Sequence, residues 1–212
     1  NDQHVTVHQG GTSVEANWTL PSDFTLTSVS SYRFWNFTPR NDDGLNVPAS
    51  YNAGVSVEDK QYSQEFRLAS PKGEFFDYVV GAYYFGSDLD NKSFAYYGPQ
   101  ADIWNGTAPG ALANVTSIGN GHIKTDSFAL FAQGTWHLTE RLDFTAGVRG
   151  TYEEKNAWVT RDAPVGGATV TGAAATARRG RAGAYDSGDL NQYSSSPSGL
   201  LNLSYRITDD LL

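Results

Sequence analysis

The chain has 212 residues, 18% charged and 13% aromatic, with 22 glycines, no cysteine and a net charge of -8. An acidic balance lacks the basic footprint of a nucleic-acid binder, and without cysteine there is neither a disulfide framework nor a thiolate metal site. Low charge with abundant glycine and tyrosine points to an all-β chain rich in turns, and the absence of any run of 18 apolar residues excludes a transmembrane helix but not a transmembrane barrel, whose strands are about 10 residues long and alternate.

In chain order, period-two alternation predicts seven strands, roughly 11–20, 24–37, 60–70, 77–87, 124–138, 142–155 and 194–207, with an eighth beginning at Leu211. The first pair is joined in "NWTLPSDFTLTS", where Trp18 and Leu20 precede a polar hinge and Phe24 and Leu26 follow it. A second hinge, "SPKGEFFD", follows "QEFRLA", whose Phe66 and Leu68 lie opposite Glu65 and Arg67. The third hairpin is the clearest. Phe128, Leu130, Ala132, Gly134, Trp136 and Leu138 share one face, and Ala129, Phe131, Gln133, Thr135 and His137 the other. After the hinge "TER", Leu142, Phe144, Ala146, Val148 and Tyr152 continue the apolar face, and Arg149 and Glu153 the polar one. Phe131 breaks the pattern on the polar side. "SYRITDDLL" repeats the hinge motif with Tyr205 and Ile207. Long connections, 38–59, 87–123 and 156–192, alternate strictly with these short hinges, so one end of the sheet carries the tight turns and the other the long loops.

Alternation alone leaves two architectures: a soluble sandwich with its apolar face sealed, or a membrane barrel with that face toward lipid and its polar face toward the lumen. Three features favour the barrel. Loop length is asymmetric by end. Trp18, Trp136 and Tyr205 recur just before the short turns, where an amphipathic ring fits a membrane-interface girdle. Full charges stand mid-strand on the polar face, at Glu65, Arg67, Arg149 and Glu153, which a wide wet lumen accommodates better than a narrow core.

"YSQEFRLASPKGEFFDYVVGAYYF" (62–85) resembles a strand pair from the barrel of TonB-dependent receptors of Gram-negative outer membranes. "TLTSVSSYRFWNF" (25–37), "SFALFAQGTWHLTERLDFTAGVRGTYEEK" (127–155) and "SSSPSGLLNLSYRITDDLL" (194–212) resemble the neighbouring strands, so the likeness covers nearly all of residues 1–212. The resemblance implies a section of a barrel of about 22 strands with a plugged lumen. The plug, the TonB box and the closing strands are not recognisable in this chain. It further implies energised uptake of a scarce nutrient (an iron–siderophore, cobalamin or an oligosaccharide), location in the outer membrane among lipid and lipopolysaccharide, and coupling to the TonB energy complex through the plug. No enzyme activity and no cofactor are implied. A small complete barrel with a structural or adhesion role and a soluble carbohydrate-binding β-sandwich remain the alternatives.

Candidate binding residues lie in the long connections. "SFAYYGPQADIWNG" offers Tyr96, Tyr97 and Trp104, rings able to stack on sugars or flat chelates, or to pack loops together. "ARRGRAG" clusters Arg178, Arg179 and Arg181, suited to an anionic ligand or lipopolysaccharide phosphates, or to a solvated mobile loop. "NDDG" (41–44) and "DLDN" (88–91) lack the spaced series of a calcium loop and read as turn chemistry. His4 and His8 in "HVTVH" lack a third ligand, so no metal site is expected, and His137 reads as a polar wall residue rather than a catalytic base.

Overall fold

The computed structural model describes residues 3–41 and 48–207. The strand β1 (His4–Thr19) passes through a single 3-10 turn at Pro21–Asp23 into β2 (Thr25–Arg40). Ser22 and Asp23 both adopt φ of 61° there, a left-handed conformation that a short polar side chain tolerates better than a branched one. Next come β3 (Ser50–Ala69), β4 (Phe76–Tyr97), the short helix α1 (Ala101–Asn105), β5 (Val115–Thr139) and β6 (Leu142–Arg161). A two-residue strand β7 (Val165–Gly166), the helix α2 (Gly172–Ala182) and a second short strand β8 (Tyr185–Asp186) lead to β9 (Leu190–Tyr205). Every long strand pairs antiparallel with the next, β1 to β6 in order, and β9 lies against β6. β7 and β8 add short pairings at the loop ends of β5 and β6. The seven long strands are the seven read from the sequence. Leu211, where an eighth was expected to start, lies outside the described residues.

The strands are longer than alternation indicated, and nearly always at the loop end. β3, β4 and β5 have 20, 22 and 25 residues. The segment "DLDNKSFAYY", read as turn and loop, is the upper half of β4. The reason is physical. Where both faces of a ribbon meet polar surroundings, apolar alternation disappears while backbone pairing continues. At about 3.4 Å per residue and a tilt near 40°, β5 rises roughly 65 Å, against an apolar band of about 25 Å in a membrane barrel.

No second layer covers the sheet among the described residues. Trp136, Phe144 and Leu203 are direct neighbours across β5, β6 and β9, and Leu203 is 65% exposed. Val148 and Leu130, on the same face, are 68% and 71% exposed. A soluble sandwich would seal these side chains, since leaving each in water forgoes about 1.5–3 kcal/mol. The buried apolar cluster sits instead at the loop end, where Ala101, Ala111, Leu112, Val115 and Ala182 pack with Tyr97, Ala174 and Ala177. There the second and third long connections close over each other as a small cap.

Candidate functional site

Three parts of the chain hold the candidate residues: the polar face, the aromatic rows on the apolar face, and the cap. On the polar face, register places Arg67, Gly81, Phe131 and Arg149 side by side on four successive strands. This explains the aromatic that breaks the alternation. The Phe131 ring lies over Gly81, in space a Cβ would occupy. The Arg149 guanidinium carbon sits 5.4 Å from the centre of the Tyr83 ring and 5.9 Å from that of Phe131. Arg149 Nε donates to Thr151 Oγ1 at 3.2 Å. Arg67 Nε stands 2.9 Å from Glu65 Oε1 but out of line with it, so the pair is ionic contact without a formed N–H bond. Glu153 Oε1 lies 3.1 Å from Lys155 Nζ. Near the turn end, His137 bridges three strands, with Nε2 at 2.9 Å from Asp77 Oδ2 and Nδ1 at 2.7 Å from Asp143 Oδ1. The sequence suggests His137 as a polar wall residue and does not point to its two carboxylates. The register of the hairpin, which sets His137 opposite Asp143, was the available signal for one of them.

On the apolar face, Trp136 lies between Phe76 and Phe144, with ring centres 4.9 and 5.7 Å away. Trp18 and Tyr205 stand near the same turn end, both about half exposed. A second aromatic row went unread in the sequence. Tyr84, Phe128 and Tyr152 are direct neighbours on β4, β5 and β6. Each stands eight positions from its counterpart in the row Phe76, Trp136 and Phe144. Eight residues span about 27 Å along a strand, or roughly 21 Å at a tilt near 40°. Just beyond this second row the apolar face becomes charged, and Tyr84 Oη donates to Asp126 Oδ1 at 2.7 Å.

In the cap, Asp102 is the organising group. Its Oδ1 accepts from Leu112 N at 2.6 Å and Thr107 Oγ1 at 2.9 Å, and its Oδ2 accepts from Gly110 N at 2.7 Å. Burial pushes the carboxyl toward its neutral form. The N–H of Leu112, the hydroxyl of Thr107 and the N–H groups of Gly110 and Ala113 outweigh that together, and its pKa is lowered. Arg178 ties the other half of the cap down, with Nε donating to Ala111 O at 2.8 Å and Nη2 to Gly110 O at 2.6 Å. "ARRGRAG" therefore lies largely in α2, not in an irregular loop. Of the six loop residues, Tyr97 packs on the cap core and Arg178 is bonded within it. Tyr96 lies beside Phe94, ring centres 6.3 Å apart. Trp104 is half exposed on α1, next to the exposed Ile103, and Arg179 and Arg181 are exposed at the end of α2.

The single open sheet of long, consecutively paired strands with one uncovered apolar face is what a wall section of a large barrel requires. Residues 1–212 match the family model described as TonB dependent receptor-like, beta-barrel. The chain belongs to this family. Two solved structures share its fold. Against the ferric yersiniabactin uptake receptor FyuA from Yersinia pestis the TM-score is 0.68 at 16% identity, covering 99% of this chain and 27% of that one. Against the ferric-catecholate import receptor Fiu from E. coli K12 the TM-score is 0.61 at 13% identity, covering 99% of this chain and 35% of that one. The chain thus spans about a quarter to a third of the receptors it resembles. No curated protein matches. Membership in a family of receptors agrees with the reading of the chain as a non-enzyme.

Proposed function

We propose that this chain is barrel wall from an outer-membrane receptor that imports a scarce nutrient with energy from the TonB complex, delivered through a plug that the described residues do not include. The apolar face lies against lipid, with Trp18, Trp136 and Tyr205 at the periplasmic interface. The polar face, with Glu65, Arg67, Arg149 and Glu153, lines the lumen and meets the plug or the passing ligand. The observation that carries this reading is the pair of aromatic rows, eight residues apart on an exposed apolar face, beyond which that same face turns charged. Their separation matches the band a membrane barrel needs. A ferric chelate is the ligand class we favour, because the two structural neighbours are named for ferric yersiniabactin uptake and ferric-catecholate import. Trp104, Arg179 and Arg181, exposed on the cap, suit the flat anionic surface of such a complex, with Tyr96 close by. The same arginines would contact lipopolysaccharide phosphates.

The test is a charge placed midway between the two aromatic rows. Val148 stands midway between Phe144 and Tyr152 and faces outward. In the receptor carrying this chain, folded into lipid bilayers, Val148→Arg should cost about 2–4 kcal/mol, while Gln133→Arg on the opposite face should cost under about 1 kcal/mol. Equal, small effects of the two changes on unfolding in lipid would sink the assignment of faces.

A further inference from the structure

Beyond the upper aromatic row, the outward face carries Asp126, Lys124 and His122 on β5, Asp88 and Asp90 on β4, and Glu58 and Lys60 on β3. Three of these converge. Asp88, Asp90 and His122 offer one donor atom each, all within 4.8 Å of one another. His122 Nδ1 lies 2.9 Å from Asp90 Oδ1 and 3.8 Å from Asp88 Oδ1. Two donors bound at about 2.1 Å to one tetrahedral ion are about 3.4 Å apart, between those two distances. Little side-chain movement would admit an ion. The backbone already provides the arrangement. Residues two apart on one strand share a face, and the register puts His122 directly opposite Asp90. The Trp158 ring lies nearly parallel to the imidazole, 19° apart with centres at 6.1 Å.

A separate observation concerns charge. Register also places Glu58 directly opposite Asp90 on the other neighbouring strand. Like charges in such a pair are destabilising. Among the described residues no lysine or arginine forms an ion pair within 4 Å of Asp88, Asp90 or Glu58, and Lys124 pairs with Asp126 at 3.6 Å. Lys60 and Lys124 stand directly opposite Asp88 on its two neighbouring strands and offset its charge, so the uncompensated charge is that of Asp90 and Glu58, met only by the hydrogen bond from His122 to Asp90. A dication would offset it.

We propose that Asp88, Asp90 and His122 form a binding site for a divalent transition-metal ion of the zinc class, with Glu58 adding negative charge from outside the ligand set. An imidazole with two carboxylates suits Zn²⁺ and its neighbours in the first transition row better than Ca²⁺ or Mg²⁺, which prefer all-oxygen shells. Three protein ligands leave one position open to water or to a group from a partner molecule. The site is separate from the cap and stands whichever nutrient the receptor takes.

The test uses the intact receptor, purified in detergent and stripped with chelator, then titrated with Zn²⁺ by calorimetry and with Co²⁺ by visible absorption. Binding at one site with a micromolar dissociation constant is expected. His122→Ala and the isosteric Asp90→Asn should each weaken it at least about tenfold, and Lys124→Ala should not weaken it. Retained folding of each variant is checked by its heat-modifiable mobility. Should the wild type fail to bind, or should His122→Ala and Asp90→Asn bind within about threefold of it, the site is refuted.

Discussion

The cap offers the sharpest test of the physical argument, because one carboxylate organises it. Asp102 is 8% exposed and accepts from two backbone N–H groups and one hydroxyl. Replacing it with alanine leaves the N–H groups of Gly110 and Leu112 without that partner. A buried unpaired donor costs about 1–3 kcal/mol, and a hydrogen bond to a charged acceptor contributes about 1.5–3 kcal/mol, with strong non-additivity when several share one acceptor. A total near 3–5 kcal/mol is the reasonable scale, which is about a hundredfold to a few thousandfold in the opening equilibrium of the loop. The effect is local, since the strand ladders do not pass through Asp102. Native-state hydrogen exchange reads it directly. The useful reporters are amides that do not bond the carboxylate: Thr107 N to Asp102 O at 2.9 Å, Ala111 N to Ala108 O at 3.0 Å, and Val115 N to Leu112 O at 3.0 Å. Their exchange should accelerate by at least about a hundredfold in Asp102→Ala, while amides in the lower half of β5 keep wild-type rates. Exchange at these three amides within about threefold of wild type would refute the view that Asp102 holds the cap together.

The same carboxylate makes cap stability depend on pH. Its pKa is lower in the folded cap than in an open loop, so the opened form takes up the proton first. The stabilisation is complete above the unfolded value near 4 and is lost as pH falls through the folded value below it. Corrected exchange rates for Thr107, Ala111 and Val115 should therefore stay level from neutral pH to about 5 and rise below about 4, and Asp102→Asn should abolish that rise. Arg178 and its neighbours separate packing from recognition: Arg178→Ala should loosen α2, seen as faster proteolysis within 172–182, at a cost of about 1.5–3 kcal/mol for its charged bonds to Gly110 O and Ala111 O. Arg179→Ala and Arg181→Ala should leave that proteolysis unchanged and weaken only the binding of an anionic chelate.

How much of this was legible follows the solvent. Where one face of a strand is apolar and the other polar, each side chain reports its face, and "SFALFAQGTWHL" could be read residue by residue. In the loop-end half of β4 polar residues stand on both faces, Asp88, Asp90 and Lys92 on one and Asn91 and Ser93 on the other, so "DLDNKSFAYY" resembles a turn. The helix α2 went unread although its sequence holds five alanines in eleven residues. Its glycines and clustered arginines are loop-like composition, but the helix propensity of its alanines outweighs them. The partners of His137 and His122 were hidden for another reason. Asp77 is 60 residues from His137, and Asp90 is 32 from His122. Only strand register, not spacing along the chain, brings such pairs together.

Register also gives the polar face its meaning. The ion pairs Arg67–Glu65 and Lys155–Glu153 are partly exposed to solvent, and pairs near a protein surface contribute about 0–1 kcal/mol each. The placement of Arg149 over Tyr83 and Phe131 adds about 0.5–1 kcal/mol per ring in an exposed setting. Together these terms are small against the ladders that bind seven long strands, so stability gives little reason for charges at these positions. Gly81 points the same way. A side chain there would displace the Phe131 ring and meet the backbone oxygen of Phe66, and its absence lets an aromatic lie flat against the wall with a guanidinium beside it. A flat ring next to a cation on a wet surface can meet planar or anionic groups without rearrangement, since neither group must first be freed from a strong partner. On the proposed function, such weakly committed charges on a rigid backbone would let a lumen wall contact a plug or a passing chelate and then release it.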